Sequence, residues 1–265
     1  MDLLEALVLG VIQGVTEWLP ISSSGHLVIA QEILGLAARE NLLFDLVVHL
    51  GTLVAVCAYF SKELGRIASA LLTPRAGRDQ QRQALWTLGM LLLVGTIPAG
   101  IVGLLLSDVV DEIFRPALVG AALLLNGLML VAVERAGSAG TRRNATLKDA
   151  LVIGTCQAAS IVPGISRSGI TISGGMMMGL EREVAAVFAF LVSVPTLAGA
   201  FAYGLATLDA YDLDLASAAV GFAAALVTGL LAIRYLLSAV RKGRLWVFGA
   251  YCLVAGAAVL AWSLG

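Results

Sequence analysis

Shifted by 144 residues, this chain meets itself. Glu5-Ala-Leu-Val-Leu-Gly10 falls on Asp149-Ala-Leu-Val-Ile-Gly154, and Gln13 falls on Gln157. Ser22, Ser24 and Gly25 meet Ser166, Ser168 and Gly169, and Gly35-Leu36 meets Gly179-Leu180. The match runs on through Thr52-Leu53 over Thr196-Leu197 and Ala58-Tyr59 over Ala202-Tyr203. Identical residues at one fixed offset mark an internal duplication rather than shared composition. Any fold for this chain must therefore contain the same unit twice.

The unit belongs in a membrane. Of 265 residues, 59% are hydrophobic and 13% charged, with a mean hydropathy of +0.94, where a soluble domain is about a quarter charged. Six apolar stretches, near 41–60, 84–106, 116–133, 184–206, 216–237 and 245–264, have the ~20 residues a transmembrane helix needs. Two further segments, 2–36 and 147–180, are apolar but broken by Pro, Gly and Ser. Their second arms, about 24–36 and 168–180, are too short to span and read as halves of re-entrant hairpins, tolerated only inside protein or beside a cavity. Each copy is then one hairpin plus three spans. Three is odd, so the second copy lies upside down relative to the first. The expected fold is all-α and polytopic, one integral membrane domain over 1–265, with inverted halves 1–133 and 147–265 joined by a loop at 134–146.

Charge gives an independent test. With 61–83, 134–148, 181–183 and 238–244 on one side, and Arg234 at the adjoining helix end, that side holds 14 of the 17 Lys and Arg residues. Of the remaining three, Arg39 and Arg115 fall outside and Arg167 lies in the second broken segment; the acidic loops Ser107–Arg115 and Thr207–Leu215 take the opposite side. The positive-inside rule then puts both termini extracytoplasmic in a multi-pass cytoplasmic membrane protein. The N-terminus lacks the basic region and cleavage site of a secretory signal. A net charge of −1 argues against nucleic acid as a partner. Cys57, Cys156 and Cys252 stand alone in apolar runs and read as packing residues.

The unexplained polar chemistry gathers in the two broken segments. Charged groups inside hydrocarbon are expensive, so Glu17, His26 and Arg167 are functional candidates by default. Gln13 and Glu17, four apart, share a helix face. Pro20 ends that arm, Ser22-Ser23-Ser24-Gly25 opens the tip, and His26 follows in the next helix. In the second copy Pro163-Gly164 makes the bend and Ser166-Arg167-Ser168-Gly169 the tip, with Thr171 just after. Both second arms start at Ser/Gly-rich N-termini, which offer free N–H groups and the positive dipole end to an anion. The copies diverge where chemistry would need them to. Glu17 and His26 face Ile161 and Ile170 in the alignment, and Ser23 faces Arg167, so one half brings acid–base groups and the other a phosphate clamp.

Other polar residues carry less. Asp45 lies toward the mouth of the site and is a candidate binding residue; His49, four further on, reads as a helix-packing residue. Met176-Met177-Met178 reads as flexible apolar packing. Trp86, Trp246 and Trp262 suit interfacial anchors, and Trp18 stands next to Glu17 as a wall of the site.

At these residues the chain resembles the bacterial undecaprenyl-diphosphate phosphatase family, also called bacitracin-resistance proteins. The motifs are Gln13…Glu17 running into Pro20-Ile-Ser-Ser-Ser-Gly-His26, and Pro163-Gly-Ile-Ser-Arg-Ser-Gly-Ile-Thr171; the likeness extends over essentially the whole chain, including Phe44–Gly51. Many members carry Glu where this chain has Gln13, which leaves Glu17 as the essential carboxylate here. The resemblance implies hydrolysis of undecaprenyl diphosphate to undecaprenyl phosphate and inorganic phosphate, recycling the lipid carrier for peptidoglycan and conferring bacitracin resistance. It also implies dependence on a divalent cation, magnesium or calcium.

On this reading Arg167 and the hairpin N–H groups bind the terminal phosphoryl, Glu17 and His26 act as base and acid, and Ser23 is the candidate nucleophile, with direct attack by water the open alternative. Ser22, Ser24, Gly25, Ser166, Ser168, Gly169, Thr171, Gln13 and Asp45 are expected around the substrate, and Glu17 is the one candidate metal ligand. The partners expected are the lipid diphosphate, membrane lipids and a second copy of the chain as a homodimer. The rival readings are a polyprenyl-phosphate transporter or flippase, since inverted repeats with broken helices build secondary transporters, and a membrane scaffold.

Overall fold

The computed structural model describes residues 1–36, 42–74, 79–106, 115–137, 140–207 and 214–264. These hold eleven α-helices: α1 Leu3–Trp18, α2 Ser23–Leu34, α3 Leu42–Tyr59, α4 Ser61–Leu72, α5 Gln80–Leu106, α6 Pro116–Arg135, α7 Leu147–Ala159, α8 Arg167–Met177, α9 Arg182–Thr207, α10 Leu215–Arg241 and α11 Leu245–Leu264. Six of them, α3, α5, α6, α9, α10 and α11, are long and apolar enough to cross a membrane. The chain is an all-helical polytopic membrane protein. Arg39, residues 107–114 and residues 208–213 lie outside the described residues, and with them most of the two acidic loops.

The spans fall where the apolar stretches put them, but several run on into polar sequence. α5 begins at Gln80 and α10 continues to Arg241, because polar residues with good helix propensity extend a helix into the interface at little cost. The segment 61–83, placed on the basic side by its charge, contains α4. Its Ile67 and Ala70, three apart, are buried against α5 near Gly89, while Lys62, Glu63 and Arg66 face outward, an amphipathic pattern too short to weigh in a search for spans.

The broken segments are pairs of short helices. α2 has 12 residues and α8 has 11, about 18 and 16 Å of helix against the ~30 Å of a bilayer core. α1 lies along α10, with Gly10 against the Gly221 carbonyl and Gly14 against Ala225 and Thr228. Both numbers rise together, so these helices run parallel. α7 lies along α5 in the same way, Gly154 sitting against the carbonyl of Gly95 and against Pro98. α6 and α11 pair with Gly120 on Gly256 and Gly127 on Gly249, rising against falling, hence antiparallel. At all three interfaces a glycine lets backbones approach where lipid supplies no hydrophobic drive.

The basic segments meet at one end of the molecule. Arg182 pairs with Glu134 on α6, Arg241 with Glu183, and Arg143 with Glu181. Arg66, Gln81, Arg143 and Glu183 line one cavity of about 630 Å³ there. At the same end, the chain at 140–142 pairs with 179–181, and Arg142 bonds both Asp149 oxygens at 2.8 and 2.9 Å and the Met178 carbonyl. That contact clasps the two arms α7 and α8 together at their base. Met1 lies at the other end, where its carbonyl accepts the Ser217 hydroxyl.

Candidate active site

The two hairpin tips are built alike. Ser22 caps α2 by accepting the Gly25 N–H at 3.4 Å, and Ser166 caps α8 by accepting the Gly169 N–H at 3.2 Å. Ser23 and Arg167 thereby take the first position of each helix, where N–H groups have no intrahelical partner and the dipole end is positive.

The tips also touch. Gly25 packs on Gly164 and Gly169 on Pro20, so the same two positions of each copy meet in both contacts. Ser22 sits at φ 70°, a conformation that strains any residue bearing a Cβ. Its hydroxyl also accepts the Gly164 N–H at 3.0 Å, and that bond holds it there. Gly164 itself, at φ 101°, lies so close to Ala122 and the Val119 carbonyl that a side chain would clash. From α6, buried Asn126 donates to the Pro20 carbonyl at 3.0 Å and accepts the Ser166 N–H at 3.2 Å, bracing both tips.

Glu17, in the last turn of α1, is 7% exposed and sits at the centre. Its Oε1 accepts Arg167 Nη1 at 3.0 Å. Its Oε2 accepts Ser23 Oγ at 2.5 Å and Gln13 Nε2 at 3.0 Å. A buried carboxylate needs such donors to offset its lost hydration. The same arrangement points the Ser23 proton at a base, freeing the hydroxyl lone pairs for attack. Arg167 and Ser23 are each only half-buried, so an anion can reach both.

His26 stands apart from that trio. Its Nδ1 donates to the Ser22 carbonyl at 2.7 Å, which leaves Nε2 to accept the Tyr251 hydroxyl at 2.7 Å, and the two rings stack. His49 comes in instead: its Nε2 lies 4.0 Å from Glu17 Oε2. Asp45 is reached through His49, whose Nδ1 donates to the Asp45 carbonyl, and its carboxylate accepts Gln31 Nε2 at 2.8 and 3.1 Å.

The remaining residues of the set serve the tips. Ser24 Oγ lies 3.4 Å from Ser22 Oγ, and Ser168 Oγ 3.1 Å from Ser166 Oγ. Thr171, 1% exposed, returns its hydroxyl to the Arg167 carbonyl at 2.6 Å. Trp18 packs edge-on to Phe190 at 5.3 Å, a core residue rather than an interfacial one.

Comparison with known proteins bears on this arrangement. The family described as bacitracin resistance protein BacA matches residues 6–258. An undecaprenyl-diphosphatase of Korarchaeum cryptofilum is 40% identical over 98% of this chain and 99% of its own. Those of Moorella thermoacetica, 40% identical, and Desulfatibacillum aliphaticivorans, 39% identical, each match over 98% of both chains. The chain belongs to the bacitracin resistance protein BacA family.

For a member of the BacA family the donor set can be tested against the expected cation. Glu17 is a single carboxylate with both oxygens already accepting N–H or O–H groups, and a guanidinium lies on one of them. Among the described residues no three His, Cys, Asp or Glu side chains gather as a ligand set. A resident divalent cation does not fit these residues; a phosphate does. Asn126 and Tyr251 are the members of the site that the sequence reading passed over. A lone Asn in the middle of an apolar span was the available signal for the first; nothing local marks the second.

Proposed function

We propose that this protein hydrolyses undecaprenyl diphosphate to undecaprenyl phosphate and inorganic phosphate. The observation that carries the reading is the triad of Ser23, Glu17 and Arg167 where the two hairpins meet, a nucleophile and a phosphate clamp each hydrogen-bonded to the base between them. The names of its relatives add the polyprenyl tail.

The terminal phosphoryl binds Arg167 and the first-turn N–H groups of α2 and α8, and Ser23 attacks in line while Glu17 takes its proton. His26, with Nδ1 donating to Ser22, turns Nε2 to the leaving lipid phosphate in place of Tyr251 and, as the imidazolium, donates a proton to it. Ser24, Ser168, Gly25, Gly169 and Thr171 shape the tips.

The two halves are inverted repeats of a re-entrant hairpin and three spans. Support comes from α1 running along α10 as α7 runs along α5, and from the paired tip contacts Gly25–Gly164 and Gly169–Pro20. The clustering of basic residues at one end supports a cytoplasmic assignment for that end, extracytoplasmic termini and substrate entry from outside. Recycling the carrier there serves peptidoglycan synthesis and underlies bacitracin resistance. The same repeat would suit a lipid-phosphate transporter.

Phosphate release separates the two readings. Purified protein in detergent should release phosphate from undecaprenyl diphosphate, and acid quenching should trap radiolabel on Ser23. Binding without release would establish a transporter; release with no label, undiminished in Ser23→Ala, would establish direct attack by water.

A further inference from the structure

We propose that His49 is the base that activates water in the second half-reaction. The proposal rests on Ser23 as the nucleophile.

The geometry begins at Glu17 Oε2. Three groups address this one oxygen: Ser23 Oγ at 2.5 Å, Gln13 Nε2 at 3.0 Å and His49 Nε2 at 4.0 Å. The His49 tautomer is fixed from behind. Its Nδ1 lies 2.7 Å from the Asp45 main-chain carbonyl, which can only accept, so Nδ1 carries a proton and Nε2 is the nitrogen through which the neutral ring can take one from the site. A separation of 4.0 Å is too wide for a direct hydrogen bond and close enough for one water to touch both groups. The side chain is 31% exposed, so water reaches it.

The chemistry needs such a group. In the first step Ser23 Oγ bonds the terminal phosphorus and its proton moves to Glu17 Oε2. The P–O bond to the lipid phosphate breaks, and that phosphate leaves with the bonding electron pair. Glu17 is now neutral and cannot take a second proton. In the second step water bonds the phosphorus of phosphoserine, giving one proton to His49 Nε2 and keeping the other on the product. The P–Oγ bond breaks, and Glu17 returns its proton to Oγ. His49 then releases one proton to solvent, and hydrogen phosphate departs. Gln13 cannot do this work, because an amide does not titrate.

The surroundings agree. The ionisable groups facing His49 are Glu17 on α1, Arg167 beyond it on α8, and Asp45 on its own helix, while α10 meets α3 through Phe222, Ala225 and Leu226 beside Gly51. The alignment partner of His49 in the second copy is Ser193, a buried residue whose hydroxyl donates to the Phe190 carbonyl of its own helix. Packing at that position does not demand an imidazole.

The test is a quenched-flow comparison of wild type, His49→Gln, and His49→Gln with Gln13→Glu, using terminally radiolabelled undecaprenyl diphosphate. His49→Gln should form phosphoserine at near wild-type rate, accumulate it, and release phosphate about a hundredfold more slowly. Adding Gln13→Glu should restore at least about a tenth of the lost rate, since a carboxylate beside protonated Glu17 can take the water proton. Equal loss of both steps without rescue by Gln13→Glu would make His49 a structural residue and overturn the proposal, as would wild-type turnover in His49→Gln. Absence of phosphoserine in every variant, with activity kept in Ser23→Ala, would instead overturn the nucleophile assignment beneath it.

Discussion

Arg167 Nη1 lies 3.0 Å from Glu17 Oε1, joining the cation of one half to the carboxylate of the other across 150 residues of chain. The pair holds both side chains in place before a phosphate arrives. In the proposed mechanism an incoming dianion competes with Glu17 for the guanidinium and leaves the carboxylate free to serve Ser23.

Arg167→Lys should fail nearly as badly as Arg167→Ala. A lysine supplies charge but not the planar fork that spans two phosphate oxygens, or a phosphate oxygen and Glu17 together. Both variants should fall at least about a hundredfold in kcat/KM, the scale of losing a transition-state donor. Phosphate-release kinetics would decide it; near-wild-type turnover in Arg167→Lys would reduce the residue to a bulk positive charge.

Asn126 touches no expected substrate atom, yet Asn126→Leu should weaken the protein. It would strand the buried Ser166 N–H, at about 1–3 kcal/mol, and leave the Pro20 carbonyl only the weak Cys252 thiol donor at 3.7 Å. The Tm in detergent should drop and activity should fall with it, because the tips lose their common brace. An unchanged Tm would mean the tips hold themselves.

The clasp at the base of the second hairpin carries a pH signature. Hydrogen bonds from Arg142 hold the Asp149 carboxyl below its ordinary range, with its capping bonds to Thr146 adding to the effect. A carboxyl lowered on folding contributes stability above its unfolded value, about 3.9, and loses that contribution as pH falls toward the folded value. Wild type should therefore unfold at higher temperature than Asp149→Asn at neutral pH, and the gap should narrow as the solution is acidified below about pH 4. A gap independent of pH would assign the effect to packing.

Much of the site is legible in the sequence because membranes make polar residues conspicuous. Glu17, Ser23 and Arg167 stand out against apolar neighbours, and the 144-residue offset puts Ser23 and Arg167 at matching positions. What sequence could not supply is contact between helices far apart in the chain. His49 read as packing because its four-residue spacing from Asp45 says nothing of α1, and only the crossing of α1 with α3 brings it to Glu17. His26 shows the reverse. Its motif position suggests closeness to Glu17, but a helix start turns its ring toward Tyr251 on α11. Thr171 looked like a ligand and back-bonds within its own helix, as threonines in apolar helices do.

Glu17→Gln is the most direct test of the mechanism. Gln keeps the shape but has one acceptor oxygen where Glu17 uses two, so it can accept from Ser23 or from Arg167 but not from both, and it cannot take a proton. The measurement is phosphate release from undecaprenyl diphosphate by purified wild type and Glu17→Gln at matched folded fraction, with Gln13→Ala alongside. The expected result is release by wild type, a loss of about a hundredfold or more in Glu17→Gln, and substantial activity in Gln13→Ala. Wild-type turnover in Glu17→Gln would contradict a base at this position and detach the Ser23–Glu17–Arg167 cluster from the chemistry.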